Sequence, residues 1–290
     1  MAATETSPAT SPPARVPLRG VAHNLRAVRV VLRREMIRFS TDGKRVTAAL
    51  FQAFMWIFII GAGFGALMPG VPDGVDLMTF MFPGVISMTV IMTAMFSASS
   101  IVWDREFGFL REMLVAPVSR TAIVFGKVLG GALVATLQSL VIVAMAGLVG
   151  IPYDPVLIAG LVGVMFLTGF TMSAFGVLVA ARMTSMESFQ GMAQMVIMPL
   201  MYLSGALFPL TGLPGWMNTL ALVNPLTYAV DPARQVVFAH LSVPPEVRAV
   251  YDTGVSWSGW TVPVALELLL VGAAGLLMLA LAVARFNRND

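Results

Sequence analysis

The sequence predicts an all-α polytopic membrane protein with six transmembrane helices, and three observations carry that prediction. Of the 290 residues, 58% are apolar and 11% charged, whereas a soluble domain carries about 25% charged residues. Mean hydropathy is +0.85. The apolar residues gather into six runs, each close to the roughly 20 residues a helix needs to cross about 30 Å of hydrocarbon. This composition excludes ordinary soluble enzymes, disordered chains and collagen. Cysteine is absent, which excludes disulfide frameworks and thiolate metal sites.

Residues 1–20 are rich in Ala, Thr, Ser and Pro and read as a disordered cytoplasmic tail. No signal-peptide pattern precedes the first span, so no cleavage is expected. Across 21–45, Val21, Leu25, Val28, Leu32, Met36 and Phe39 recur at helical spacing, with Arg26, Arg29, Arg33 and Arg34 toward the other side. That pattern predicts an interfacial amphipathic helix, a membrane anchor compatible with a second role as a docking surface. The membrane domain, 46–284, holds the spans Val46–Met68, Met78–Val102, Ile123–Gly150, Val156–Ala181, Phe189–Phe208 and Trp260–Ala284. The turn Ile151-Pro152-Tyr153-Asp154-Pro155 separates the third from the fourth. An outer loop is expected at about 231–259 and a cytoplasmic tail at 285–290.

Sixteen of the eighteen Lys and Arg residues fall on one face: fifteen before the first span or after the second, fourth or sixth, and Lys127 just inside the third. Only Arg234 and Arg248 lie on the other face. The positive-inside rule then places both termini in the cytoplasm. The excess of Arg over Lys, with abundant Ala and Gly, points to a high-GC bacterial genome, hence a bacterial inner membrane.

Between the second and third spans, at about 103–117, Phe107, Leu110 and Leu114 make an apolar stripe. Asp104, Arg105, Arg111 and Glu112 carry charge elsewhere on the same predicted helix, which Pro117 ends. A short helix held between two spans can transmit a push from a soluble partner; a solvated connector is the plainer alternative.

The string Arg105-Glu106-x-Gly108-x-Leu110-x-x-x-Leu114-x-x-Pro117, followed by Ser119-Arg120 and Gly126-Lys127, resembles a known pattern. It is similar to the permease subunit of ABC exporters in the drug-resistance and polysaccharide-export family, nearest the daunorubicin-resistance branch. Leu203-Ser204-Gly205, Phe208-Pro209, Leu213-Pro214, Trp216, Asn224-Pro225-Leu226-Thr227-Tyr228 and Asp231 extend the match. The resemblance runs from roughly residue 25 to 285.

It implies a type V ABC exporter-like half-transporter that works as a dimer with a second copy of itself. Two copies of a separate ABC ATPase subunit would supply ATP and Mg. By resemblance, 21–45 is the connecting helix and 103–117 a coupling helix docked on the ATPase. Asp104, Arg105, Glu106, Gly108, Leu110 and Glu112 are then the coupling residues. Residues 209–230, with Pro209, Pro214, Asn224, Pro225 and Tyr228, would form extracellular re-entrant helices. Non-helical backbone at that depth must be buried in protein or line a wet cavity.

The sequence has no Gly-x-x-x-x-Gly-Lys-[Ser/Thr] loop: Val128 follows Gly126-Lys127, and Arg45 follows Gly43-Lys44. The chain is therefore expected not to be an enzyme and to carry no cofactor. Its only histidines, His23 and His240, lie outside the spans, so neither a metal site nor a histidine base is expected in the membrane. The basic helix with its apolar stripe suits anionic membrane lipids, not nucleic acid. Gly61/Gly65 and Gly126/Gly130 form Gly-x-x-x-Gly faces for packing within or between subunits. Glu267 is the single acid within a span and lacks a basic partner at its depth, which argues against a proton relay.

Methionine numbers 21 and suits surfaces that accept varied apolar shapes. Met88, Met92, Phe96, Met192 and Met195 are the candidates for a substrate pathway, with packing or lipid contact the alternative for each. Arg182 and Glu187 form either a lower gate or a solvated ion pair. The expected function is export of a small amphipathic drug-like or lipid-like substrate, with drug efflux and antibiotic resistance as its setting. A polysaccharide or lipid-linked glycan exporter is the alternative, disfavoured by the scarcity of Trp and Tyr in the second and fifth spans. A non-transporting membrane scaffold or sensor bound to an ATPase is the alternative of another class.

Overall fold

The computed structural model describes residues 21–67, 77–107, 119–210, 213–241, 254–257 and 259–288. Helix α1 (Val21–Thr41) ends just before Asp42, whose carboxylate accepts the Arg45 N–H at 3.2 Å and caps α2 (Gly43–Phe54). The first span continues through a π-helical run, Met55–Gly61, into α3 (Ala62–Leu67). The second span is α4 (Leu77–Ser97) followed by α5 (Ser99–Glu106). Ser119 caps α6 (Arg120–Val143), the third. The fourth is α7 (Pro155–Ala180), where the Asp154 carboxylate takes the Val156 and Leu157 N–H groups and Pro155 fills the first turn. Then come α8 (Met186–Tyr202), α9 (Gly215–Val223) and α10 (Thr227–Ala239). A two-stranded antiparallel hairpin, β1 (Ser256–Trp257) and β2 (Trp260–Thr261), leads into the last span, α11 (Val264–Arg288).

The all-helical membrane class expected from the sequence is what the structure shows. Among the described residues, five helices are long and apolar enough to cross a membrane. The expected fifth span, Phe189–Phe208, is the shorter α8, of 17 residues, which reaches about 26 Å at 1.5 Å per residue. It stops at Tyr202 because the chain turns through Leu203–Gly205, with Gly205 in the left-handed region at φ 75°. The expected outer loop, 231–259, also differs: α10 runs on to Ala239, and the hairpin occupies its far end. Asp231 and Arg234 look like loop residues in the sequence, yet both are buried in α10.

The core lies where α4, α6 and α7 pack, with Phe80, Phe82, Ile86, Ile91 and Met95 of α4 fully buried. Small residues bring the backbones close. A Cβ at Gly84 would run into the Ala206 carbonyl, so the turn after α8 rests directly on α4. Gly126 and Gly130 of α6 admit Val28, Val31, Leu32 and Glu35 of α1, so this Gly-x-x-x-Gly face is used within the chain. Gly61 likewise packs against Met78. That docking also turns α1: Val28, Leu32, Met36 and Phe39 are partly buried as expected, but Leu25 is 63% exposed and Glu35 takes the centre of the buried face.

Candidate functional site

Three consecutive residues at the end of α5 each hold a different element. Asp104 accepts Arg34 of α1 at 3.2 Å and lies 3.5 Å from the Lys127 ammonium of α6. Lys127 also donates to Glu35 Oε1 at 3.1 Å and to Ser100 Oγ at 2.7 Å. Glu35, Lys127 and Asp104 are all buried. A buried charge persists only when paired and hydrogen-bonded, so this cluster fastens α1 to α5 and α6.

Arg105 donates to the carbonyls of Ala181, at 3.1 Å, and Met183, at 2.8 Å. Those carbonyls lie at the C-terminal end of α7, where cations are favoured. Glu106 Oε2 accepts the Met186 N–H at 3.2 Å, the first amide of α8, where an anion is favoured. The pair thus grips both sides of the α7–α8 loop. Trp103 and Phe107, stacked at 5.2 Å, remain 46% and 61% exposed beside it. Of the six expected coupling residues, Asp104, Arg105 and Glu106 come together here; Gly108, Leu110 and Glu112 lie outside the described residues. Arg182 and Glu187 are exposed, with no ion pair between them.

At the opposite end, Asn224 forms the elbow between α9 and α10. Its amide donates to Leu200 O at 2.5 Å and accepts the Leu226 N–H at 2.9 Å. Thr227 Oγ1 reaches Ala221 O at 2.7 Å, and Tyr228 OH reaches Leu222 O at 2.7 Å while accepting Trp257 Nε1 at 2.8 Å. Pro225 continues the elbow, whereas Pro209 and Pro214 border the residues that lead into α9. Arg234 donates to Gly205 O and lies 4.3 Å over the Phe80 ring. Asp231 Oδ2 accepts Gln235 Nε2 at 2.6 Å and the Val255 N–H at 3.3 Å. Glu267 is fully buried, and its carboxyl meets the Asp231 side chain. Its charged neighbour is another acid, Asp231.

The five pathway candidates separate. Met88 and Met92 line a cavity of about 110 Å³ between α2, α4 and α8, with Trp56, Gln138 and Tyr202. Met192 and Met195 point away from the bundle on α8, at 41% and 77% exposure. Phe96 packs edge-on against Phe189 at 6.2 Å and belongs to neither group. Helix α8 buries only Phe189, Ala193, Ile197 and Met201, one stripe at four-residue spacing. Its outward face carries Gln190 and Gln194 among the methionines.

The model of the family described as ABC-2 type transporter matches residues 26–238. The chain belongs to the ABC-2 type transporter family. Among its relatives is a putative transport permease, ycf38, of Cyanophora paradoxa, 26% identical over 73% of this chain and 74% of that one. Nodulation protein J of Rhizobium leguminosarum is 30% identical over 63% of this chain and 70% of that one. A probable multidrug ABC transporter permease of Escherichia coli, YbhR, is 28% identical over 58% of this chain and 46% of that protein. An ABC-2 permease is the membrane subunit of an ABC transporter and partners an ABC ATPase subunit. Within this ABC-2 permease, sequence reasoning missed Glu35, Ser100 and Gln138. An acid amid the arginines of α1 was the one local signal for Glu35.

Proposed function

We propose that this ABC-2 permease exports a small amphipathic, drug-like or lipid-like substrate, working as a pair of copies with two ATPase subunits in a bacterial inner membrane. The observation that carries the reading is the outward face of α8. Gln190 and Gln194 are exposed there beside Met192, Met195 and Met198. An amide left without a partner in an apolar medium costs roughly 1–3 kcal/mol, so this face suits a second copy and a wet pathway better than lipid. Methionines between the amides give that pathway an apolar, adaptable wall.

The ATPase docks at the basic end, on the segment that follows Trp103, Asp104, Arg105 and Glu106, with both termini on that side. ATP binding and hydrolysis belong to that subunit; the permease contributes differential affinity of two conformations for substrate. The chain has no native cysteine, so one introduced by Met195→Cys is unique. Oxidation in membranes should yield a covalently linked pair and stop efflux of ethidium, with recovery on reduction. Absence of a linked pair from both Met195→Cys and a separate Gln194→Cys variant, in membranes where an ATPase co-purifies, would remove the α8 interface from the reading.

A further inference from the structure

A second cavity lies away from the outward face of α8. It measures about 360 Å³ and is bounded by α7, the α9–α10 elbow, the hairpin and α11. Phe175, Leu200, Leu226, Leu270, Ala274 and Met278 supply most of its apolar wall. Four side chains with a polar atom also line it: Thr168, Thr171, Tyr228 and Trp257. Three of these are already engaged: Thr171 Oγ1 donates to Val271 O at 2.9 Å, Tyr228 OH to Leu222 O, and Trp257 Nε1 to Tyr228 OH. An occupant is therefore offered apolar contact with little call for hydrogen bonds. Water, which needs two to four polar partners, does not suit such a space.

The rim specifies the occupant further. Val223 is 76% exposed and Trp257 38% exposed at the margin. Trp257 and Trp260, their rings 6.0 Å apart, are both exposed at this end, and tryptophans gather at the headgroup level of a bilayer. From Leu270 to Met278 the wall descends along α11 by about 12 Å at 1.5 Å per residue. On the neighbouring face of α11, Leu276 and Leu277 are 62% and 57% exposed, as a lipid-facing surface requires. We infer that this cavity holds one acyl chain of a bilayer phospholipid, its headgroup level with the tryptophans and its tail between α7 and α11. The chain packs against the elbow at Leu226 and Ala229, so the site makes the position of the elbow sensitive to lipid. The inference does not depend on the substrate pathway along α8.

The test is photolabelling in native membrane vesicles, free of detergent, with phosphatidylethanolamine carrying a diazirine near the end of one acyl chain. Wild-type protein should be labelled at Phe175, Leu200 and Met278 as well as at Leu276 and Leu277. Ala274→Phe excludes about two methylenes' worth of tail and should lower cavity labelling about tenfold, with Leu276 and Leu277 unchanged. Met278→Ala lengthens the cavity and should move the preference toward longer chains, which keeps the test decisive if Ala274→Phe fails to fold. Labelling confined to Leu276 and Leu277 in wild type overturns the inference. So does cavity labelling that ignores both substitutions in folded protein.

Discussion

Lys127→Met removes the cation at the centre of the α1–α5–α6 junction. The Lys127 ammonium stands 3.1 Å from Glu35, with side-chain exposures of 4% and 9%. At an effective dielectric near 20 that separation gives about 5 kcal/mol of attraction. Asp104 keeps Arg34 after the change, so the loss falls mainly on Glu35, which has no other salt bridge among the described residues. Stripping one member from a buried pair costs about 3–5 kcal/mol, while replacing both by apolar residues is often neutral. Lys127→Met should therefore lose about 3 kcal/mol or more, and Glu35→Leu with Lys127→Met should return to within about 1 kcal/mol of wild type. Thermal unfolding of the purified permease in mild detergent, run as a double-mutant cycle, reads both. Equal stability of Lys127→Met and wild type, or a double variant as weak as the single, would refute a junction held by this pair.

Glu106→Ala and Arg105→Ala should assemble with the ATPase yet move about tenfold less substrate per ATP hydrolysed, the worth of one charge-assisted bond of roughly 1.5 kcal/mol. Unchanged efflux at unchanged ATPase activity in vesicles would dissociate these residues from coupling. Gly84→Ala should destabilise by about 1–3 kcal/mol, because its Cβ meets the Ala206 carbonyl; a Tm equal to wild type contradicts that approach. Glu267→Gln keeps a side chain able to hydrogen-bond Asp231 in a fully buried site and should leave stability within about 1 kcal/mol of wild type. A larger fall in Tm would mean that the carboxyl has bonds beyond those of the described residues.

Five of the six expected spans were legible because each is a nearly uninterrupted apolar run, a signal that needs no tertiary knowledge. Most of the junction was not. Glu35 reads as one more surface charge on a basic helix, and its partner Lys127 stands 92 positions later inside an apolar run. Asp104 and Arg34 are 70 positions apart. Periodicity within a helix carries no information about which distant face it meets. Arg105 and Glu106 were legible through their motif, but their bonds to the α7–α8 loop were not, since backbone carbonyls and amides leave no trace in a sequence. The far end misled for a related reason. Asp231, Pro232 and Arg234 have loop character, and distant partners such as Gln235, the Val255 amide, Gly205 O and the Phe80 ring help make them tolerable within a buried helix.

The order Asp104, Arg105, Glu106 has a mechanical consequence. Asp104 ties the end of α5 to α1 and α6, which are themselves packed together through Gly126 and Gly130. Arg105 ties it to the end of the well-buried α7. Glu106 alone reaches α8, which buries a single four-residue stripe and exposes glutamines beside its methionines. A displacement applied just beyond Phe107 therefore meets firm attachments through two of the three residues and a loosely packed helix through the third. Motion should go where packing resists least, into α8 and its glutamine-methionine face. Substrate affinity along that face would change with the least rearrangement of the α4–α6–α7 core. A permease that must alternate between two states needs such a division, because a close-packed core cannot deform gradually.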